Sequence, residues 1–378
     1  MYNYIPLEQA ADILDSYRKP VNNKERLNLI KGKPLDELFP YYGATGQVGW
    51  IDSFLTDGEY ILLGEDGAPF LNPYAEKAYI IYGKTWVNNH AHILRSKTNN
   101  EFLCYYLNYF NYKNYVSGTT RLKLTQAQMR KIPIPNIPSD EQFRIVARIE
   151  ELFSELDKAV DTLKTTKEQL EVYQQAVLKD EFSKVSQYAP LGPVATSRLG
   201  KMLDKQKNTG TPKKYLRNIN VRWFSFDLAD LQEMKIEETE FEKYTIKKDD
   251  LVICEGGEPG RCAVWEKNET IYFQKALHRV RFTVESEPRL YMYYIWFMTN
   301  TGALNKFYTG TGIKHLTGQS LEKVFVPVID IKTQQKLLAS IESRLSVCNN
   351  IEKIVDTALA QADALRQSIL KQAFEGKI

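Results

Sequence analysis

Two segments of the chain concentrate basic side chains of the kind that bind nucleic acid. Residues 18–33 contain six lysines and arginines against one acidic residue, and residues 198–222 contain eight against one. Ammonium and guanidinium groups neutralise phosphates, while asparagine, glutamine and arginine side chains can form hydrogen bonds with base edges. A single basic run is usually a solvated surface, but two runs at matching places in two repeats favour a DNA interface.

The candidate contact residues lie in and around these runs. In the first half of the chain we predict Lys19, Asn22, Asn23, Lys24, Arg26, Tyr42, Thr45, Gln47, Thr120, Arg121 and Lys123. In the second half we predict Lys205, Lys207, Lys213, Lys214, Arg217, Asn218, Asn220, Arg222, Lys314 and His315. A solvated surface role is the alternative for each polar residue, and a place in a β-core is the alternative for Tyr42.

Residue patterns that would indicate catalysis are missing from the sequence. The four histidines form no metal-ligand motif, and the glycine-rich stretch "TGTGIKH" lacks the spacing of a phosphate-binding loop. We therefore predict no catalytic residue, no metal and no cofactor. The four cysteines are scattered, which indicates free thiols in a reducing cytoplasm. No long apolar run is present, and "MYNYIPLEQAADIL" at the start lacks the features of a secretion signal, so we expect a cytoplasmic protein with no membrane partner.

The chain repeats itself. Residues 117–182 match residues 309–374 at 18 of 66 positions without a gap, at a constant offset of 192. The segments before these repeats correspond more weakly: "NNHAHILR" matches "QKALHRVR", which pairs His92 with His278. A repeat of this length indicates a duplicated domain with its connector rather than a solenoid.

Each repeat ends in a segment with a heptad pattern. Apolar or small residues recur at alternating spacings of four and three, with Thr166 and Arg344 as the only polar members, at positions 145, 149, 152, 156, 159, 163, 166, 170, 173 and 177 and at positions 337, 341, 344, 348, 351, 355, 358, 362, 365 and 369. Ser139 and Gln142 in "PSDEQ" suggest a capping box at the start of the first helix. The matched patterns predict two long helices that pair as an antiparallel coiled coil, and two separate helices are the alternative.

The segments outside the helices are rich in short runs of tyrosine, valine and isoleucine, separated by glycine and aspartate turns. Such runs are typical of mixed β structure with a few short helices, among them "EFLCYYLNYF". We predict an α+β protein with pseudo-twofold (circular) symmetry, in which two mixed α/β domains are joined by the two helices. The predicted limits are 1–138 and 187–329 for the domains, and 139–186 and 330–378 for the helices.

These motifs resemble the specificity subunits of type I restriction–modification systems. The resemblance is carried by "SGTTRLKLTQAQMRKIPIPNIPSDEQFRIVARIEEL" and its second version "TGTGIKHLTGQSLEKVFVPVIDIKTQQKLLASIESRL". "YYGATGQVGWID", "LLGEDGA" and "NNHAHILR" are also typical of target-recognition domains in that family, and the resemblance covers essentially the whole chain. The second copy departs from the family pattern with "KTQQ" and "ICEGGEPGR".

The resemblance implies a non-catalytic subunit that binds double-stranded DNA. Each target-recognition domain would read one half of a bipartite, asymmetric site, and the helices would set the spacer between the halves. Two methyltransferase subunits, which use S-adenosylmethionine, would dock on the helices, and restriction subunits, which are ATP-dependent translocases and nucleases, would join them. The alternatives are a coiled-coil scaffold whose end domains bind proteins, and a stand-alone methyltransferase.

Overall fold

The computed structural model describes residues 2–204 and 206–378, which form two compact units. Among the described residues, the first unit contains 2–165 and 355–378, and the second contains 166–204 and 206–354. Both long helices are therefore shared between the units, since each helix begins in one unit and ends in the other. Of the helices described, none is long and apolar enough to cross a membrane.

The first unit is built from ten strands, four short helices and parts of the two long ones. Its strands are β1 Tyr4–Pro6, β2 Ala11–Ile13, β3 Phe39–Gly43, β4 Gly46–Ile51, β5 Thr56–Asp57, β6 Tyr60–Gly64, β7 Ala78–Ile81, β8 Lys84–Val87, β9 Ala91–Ser96 and β10 Pro133–Pro135. Its helices are α1 Leu7–Ala10, α2 Asn23–Ile30, α3 Asn100–Tyr109 and α4 Gln126–Met129, followed by the long helix α5 Ser139–Ser183. The helix predicted at "EFLCYYLNYF" is confirmed as α3.

The second unit contains the remaining elements. Its strands are β11 Tyr188–Pro190, β12 Ala195–Leu199, β13 Thr211–Leu216, β14 Val221–Arg222, β15 Ser225–Phe226, β16 Gln232–Ile236, β17 Thr245–Ile246, β18 Leu251–Cys254, β19 Cys262–Val264, β20 Ile271–Phe273, β21 Leu277–Phe282 and β22 Phe325–Pro327. Its helices are α6 Phe241–Tyr244, α7 Pro288–Asn300 and α8 Gly318–Leu321, followed by the long helix α9 Ile331–Phe374.

The two units share one sheet topology. Each has a four-stranded antiparallel sheet, ordered β2-β9-β6-β7 in the first unit and β12-β21-β18-β19 in the second. Each has a second four-stranded sheet with one parallel pair, ordered β4-β3-β8-β5 and β16-β13-β20-β17. A two-stranded sheet pairs β1 with β10 and β11 with β22. The prediction of two repeated mixed domains with two long helices is confirmed, and the β14–β15 hairpin is an addition in the second unit.

The core of each unit combines the first sheet with helices. In the first unit, Leu63 and Leu94 of the sheet pack with Phe102 and Leu107 of α3 and with Ile149 of α5. In the second unit, residues of β18 and β21 pack in the same way with α7, α5 and α9. The short strands β6 and β18 are buried along their whole length, which is why they are continuous apolar runs in the sequence.

The start of the long helices differs from the predicted capping box. Ser139 is the first residue of α5 rather than the cap before it. The Gln142 side chain is buried, donates to the Ile137 carbonyl at 2.8 Å and accepts from the Thr98 hydroxyl at 2.8 Å. Gln334 at the start of α9 donates to the Ile329 carbonyl at the same distance. The repeated glutamine therefore fastens the helix to its own domain.

The second unit shows how the two helices run beside each other. Residues 180 and 181 of α5 contact residues 340 and 344 of α9, where Ser340 donates to Glu181 at 2.7 Å and Arg344 pairs with Asp180 at 2.8 Å. Earlier in α5, residues 171–175 line the same depression as residues 345–352 of α9. Higher residue numbers in α5 lie beside lower residue numbers in α9, so the helices are antiparallel in this unit, as predicted.

Only some of the residues at the predicted heptad positions are buried. Several seam members are buried, among them Ile149, Val177 and Ile341, while Tyr173, Ile351 and Leu365 are exposed. Side chains outside the seam, such as Phe153 and Leu178, are buried because they belong to the cores of the two units. The helix ends are covered by a domain as well as by the other helix, and their buried faces are correspondingly wider. A coiled coil along the full length stays a prediction.

Candidate nucleic-acid interface

The first basic run forms the surface around α2. The Asn22 side chain caps this helix and accepts a hydrogen bond from the Glu25 amide at 2.8 Å. Asn23 accepts from Arg26 at 2.8 Å, and Arg26 also donates to the Trp50 carbonyl at 3.0 Å. The oxygens of both asparagines are engaged within the helix, so the cap position accounts for Asn22 without a ligand.

Lys19 and Lys24 are solvent-exposed cations of this surface. Both side chains are exposed, and Lys19 lies 6.0 Å from the centre of the Trp86 ring. Trp86 in turn donates its indole N–H to the Lys19 carbonyl at 2.8 Å. This arrangement holds the Lys19 backbone on the sheet while its ammonium group faces solvent, which suits a phosphate contact.

Residues from four separate segments surround one depression of about 660 Å³ in the first unit. Among the predicted residues, Thr45, Thr120 and Arg121 line it. Thr45 lies in the turn between β3 and β4, and the other two precede α4. Folding thus brings together residues that are 75 positions apart in sequence.

Acidic partners hold the basic residues of this depression. Arg121 pairs with Asp66 at 2.6 Å, and Lys123 pairs with Glu65 at 3.2 Å. Both cations are well exposed, whereas Asp66 and Glu65 are largely buried. The two ion pairs therefore tie the loop that carries Arg121 and Lys123 to the turn after β6.

Tyr42 and Gln47 occupy the two sides of the β3–β4 hairpin. Tyr42 is half-buried, with its ring centre 5.9 Å from that of Tyr79, and burial raises the pKa of its hydroxyl. Gln47 is exposed and donates to the Gly49 carbonyl at 3.1 Å. Gln47 is available to a ligand, whereas Tyr42 contributes mainly to packing.

Sequence reasoning missed the segment between β8 and β9. Val48, Asn88 and His90 line the depression described above and also a neighbouring one formed with Asn23 and Arg26. Asn88 is buried and accepts from the His90 amide at 2.8 Å, which fixes the turn. The signal was the polar triplet "NNH" between two apolar strands.

The second basic run extends from β12 to β14, and two of its lysines lie on β13. Lys214 is exposed and lies directly opposite Glu233 of β16, while Lys213 packs 4.9 Å from the centre of the Phe241 ring. Lys207 is exposed in the loop before this strand. Lys205, another predicted contact, lies outside the described residues. Lys207 and Lys214 are the cations of this run best placed to reach a ligand.

The residues after β13 stabilise their own loop. Arg217 pairs with Asp230 at 2.6 Å, and Arg222 lies 3.6 Å from Asp227. Asn220 is 2% exposed, accepts from the Arg217 amide and donates to the carbonyls of Asp227 and Asp230. The prediction that Asn220 contacts DNA is corrected, because its side chain is needed inside the loop.

The loop before α8 repeats the loop before α4. Gly118 and Gly310 have φ values of 101° and 94°, and a Cβ at either site would lie 2.4 Å from a carbonyl oxygen of its own loop. Lys314 is exposed near the Tyr308 ring, and the exposed His315 forms a bridge with Thr309, as Lys123 does with Ser117. Asn218 is half-buried beside Gly257.

Comparisons with known proteins agree with this geometry. The family profile described as the type I restriction modification DNA specificity domain matches residues 9–172 and 192–359. A specificity subunit of a type I restriction enzyme from Haemophilus influenzae is 28% identical over 94% of this chain and 91% of its own length. The EcoKI specificity subunit of Escherichia coli is 22% identical over 73% of this chain and 65% of its own length.

Solved structures share the fold. A chain described in the context of complex assembly and conformational transition of the type I R-M system gives a TM-score of 0.75 at 14% identity, covering 100% of this chain and 98% of its own. The HsdS subunit from Thermoanaerobacter tengcongensis gives a TM-score of 0.54 at 16% identity, covering 100% of this chain and 97% of its own. At such identities the agreement concerns the fold.

Proposed function

Since the chain belongs to the type I restriction modification DNA specificity family, we propose that it selects the DNA sequence on which a type I restriction–modification complex acts. Specificity subunits of this family are non-catalytic, and catalysis lies in other subunits. The observation that carries the proposal is the duplicated sheet topology with different polar residues in its two copies. Two similar domains with different surfaces suit two different half-sites.

The finer parts of the proposal concern the division of work along the chain. Each recognition domain, 1–138 and 187–329, reads one half of a bipartite site through the predicted residues that remain exposed. The two long helices, predicted at 139–186 and 330–378, set the unread spacer. They also dock two methyltransferase subunits, and restriction subunits join that complex. We place this assembly in the cytoplasm.

The candidate surfaces support contact with DNA rather than with an acidic protein alone. Asn22 and Asn220 have structural roles, but Lys19, Lys24, Lys207 and Lys214 keep exposed ammonium groups. Thr45 lines the same depression as Arg121, and the exposed Gln47 on the same hairpin adds an amide group. Cations that fix the phosphates next to amides that can read bases form the usual division of a protein–DNA interface.

A gel-shift titration over a range of salt concentrations tests the proposal, with the methyltransferase subunit present and genomic fragments as the DNA. Binding should weaken steeply as salt rises, because each neutralised phosphate releases counterions. Lys24→Ala and Lys214→Ala should each weaken binding for all sequences and reduce the salt slope by about one unit. Lys113→Ala removes an exposed lysine of the loop after α3, outside the predicted contacts and the long helices, and is the matched control.

The outcome that would reject the proposal is binding without salt dependence, or no binding of DNA in the presence of the partner subunit. Either result would favour the scaffold alternative, in which the domains bind proteins. Equal effects of Lys113→Ala and Lys214→Ala would reject the assignment of the surface while leaving DNA binding intact.

A further inference from the structure

A buried histidine of the first unit faces two hydrogen-bond acceptors. His92 on β9 is 0% exposed. Its Nδ1 lies 2.7 Å from a carboxylate oxygen of Asp15, and its Nε2 lies 2.9 Å from the Leu124 carbonyl oxygen. A carboxylate and a carbonyl can only accept, so each ring nitrogen must supply a proton for both bonds to exist. With Asp15 present as a carboxylate, both hydrogen bonds exist together only in the imidazolium form.

The charges around His92 suit a cation. Glu65 lies 3.8 Å from Nδ1, and the carboxylates of Asp15 and Glu65 both contact the guanidinium of Arg18. Lys123 approaches the other oxygen of Glu65. Burial alone would raise the pKa of Asp15, but hydrogen bonds from His92 and Gln126 and the charge of His92 outweigh it, so the pKa is lowered. Both carboxylates stay ionised and stabilise the ring charge.

The second unit has a histidine at the same position, but within the described part of the chain this histidine forms no hydrogen bond with a carboxylate. His278 on β21 lies opposite Ile253, as His92 lies opposite Leu63 on the equivalent strand. It is 1% exposed, and neither ring nitrogen has a hydrogen-bond partner among the described residues. Burial lowers the pKa of His278 and outweighs the opposite effects of the Glu255 charge and the Leu316 carbonyl.

The residues that differ explain the contrast. Asp15 lies two residues after Ile13, which pairs with Leu94, and Leu199 lies two residues after Ser197, which pairs with Val280. Gln126, which donates to Asp15 at 2.7 Å, follows the capping Thr125, while Gly318 follows the capping Thr317. The second unit thus replaces a carboxylate by an apolar side chain and an amide by a hydrogen atom.

The His92 cluster joins the two chain segments that carry the predicted contacts of the first unit. Asp15 and Arg18 lie just before Lys19, while Lys123 and Leu124 belong to the loop that carries Thr120 and Arg121, and Gln126 begins α4 after that loop. The Leu124 amide also donates to the Glu65 carbonyl at 2.8 Å. The imidazolium is the central donor between these segments, since it reaches Asp15 on one side and Leu124 on the other.

We propose that His92 is a positioning residue held as an imidazolium, which fixes the loop 117–124 against the segment 15–26 and so forms the DNA-contact surface of the first unit. His278 is neutral and gives the second unit no such dependence on pH. The consequence for DNA recognition rests on the proposed function, whereas the protonation state does not. Loss of the proton from His92 leaves a lone pair facing either Asp15 or the Leu124 carbonyl. The hydrogen bond on that side is lost, which weakens the attachment of the loop 117–124.

The test uses the full chain labelled with ¹⁵N-histidine, which contains only four histidines. Single variants with glutamine at positions 90, 92, 278 and 315 assign the ring signals. At pH 7, His92 should show two protonated ring nitrogens and His278 should show one. A neutral His92 at pH 7, or a charged His278, would overturn the proposal whether or not the chain binds DNA.

Hydrogen exchange and DNA binding give the second readout, over a range from pH 6 to pH 9. In the wild type, exchange in residues 117–124 beyond its intrinsic pH dependence should rise about tenfold as His92 deprotonates, the effect of losing one hydrogen bond to a charged group. His92→Gln should show the faster exchange at every pH, and His278→Gln should not affect this loop. DNA affinity in the gel shift should follow the same pH profile in the wild type and lose it in His92→Gln. If His92→Gln does not fold, the wild-type profile alone decides, and a flat profile contradicts the proposal.

Discussion

The last residue of α9 offers a sharp test of how the first unit is completed. Phe374 is buried in an aromatic cluster of α3, with ring centres 5.4 Å from Phe102, 5.1 Å from Tyr106 and 5.5 Å from Tyr109. The C-terminal end of the chain therefore contributes to the core of a domain that begins at the N-terminus. Phe374→Ala should destabilise the first unit selectively.

The expected magnitude follows from these contacts. Truncation of a buried phenylalanine to alanine costs about 3–5 kcal/mol. Aromatic pairs add about 0.5–1.5 kcal/mol each beyond the area they bury, so three ring contacts place this site in the upper part of the range, at about 4–5 kcal/mol. A loss of this size accelerates exchange of the most protected amides by about a thousandfold, since about 1.4 kcal/mol corresponds to a factor of ten.

Hydrogen exchange measured by mass spectrometry on the full chain reports the two units separately. Phe374→Ala should accelerate exchange in α3 and β6 and leave α7 and β18 unchanged. The repeat supplies the mirror experiment, because Phe182 of α5 contacts Tyr294 and Phe297 of α7 in the second unit. Phe182→Ala should affect α7 and β18 only. Phe143→Ala, at an exposed site of α5, should change neither by more than about 0.5 kcal/mol.

A loss of less than about 1 kcal/mol in the free energy of unfolding of the first unit would contradict the core role of Phe374, because truncation of a core ring must cost more than a surface substitution. Equal acceleration in both units would also refute it, since it would mean that the helix end stabilises the whole chain rather than the core that it contacts.

Two further predictions concern acid stability and the length of the helices. The folded state lowers the pKa of Asp15 and Glu65, so their contribution is present above the ordinary carboxyl values near about pH 4 and is lost as the pH falls through the lowered values. Hydrogen exchange in the first unit should therefore accelerate below about pH 4. Asp15→Asn should weaken that pH dependence and should lower the stability at pH 7. An unchanged acid profile in this variant would contradict the role given to the Asp15 carboxylate. Deleting one heptad from each long helix, residues 159–165 and 356–362, should shorten the unread spacer by about 10 Å, or about three base pairs, with both half-sites unchanged. Mapping of methylated adenines by the assembled complex checks this, and an altered half-site with the original spacer would count against it.

Local patterns along the chain were enough to predict the duplicated architecture and its two long helices. The match of residues 117–182 with residues 309–374 showed the duplication, and the four-three spacing showed two long helices, because helical periodicity is a local property of the chain. The short apolar runs showed buried strands such as β6, because a continuous apolar run is also a local feature of the chain. The exposed Tyr173 and Leu365 mark the limit, since a seam position is buried only where a neighbour covers it.

Tertiary structure alone decided which polar residues are free and which are charged. Asn220 belongs to a basic run in the sequence, yet it is buried inside its own loop. His92 and His278 stand at equivalent positions, and the difference between them comes mainly from Asp15, 77 residues before His92, where the second unit has Leu199. The protonation and exposure of a side chain depend on the dielectric and the partners that surround it, and folding supplies both from distant parts of the chain.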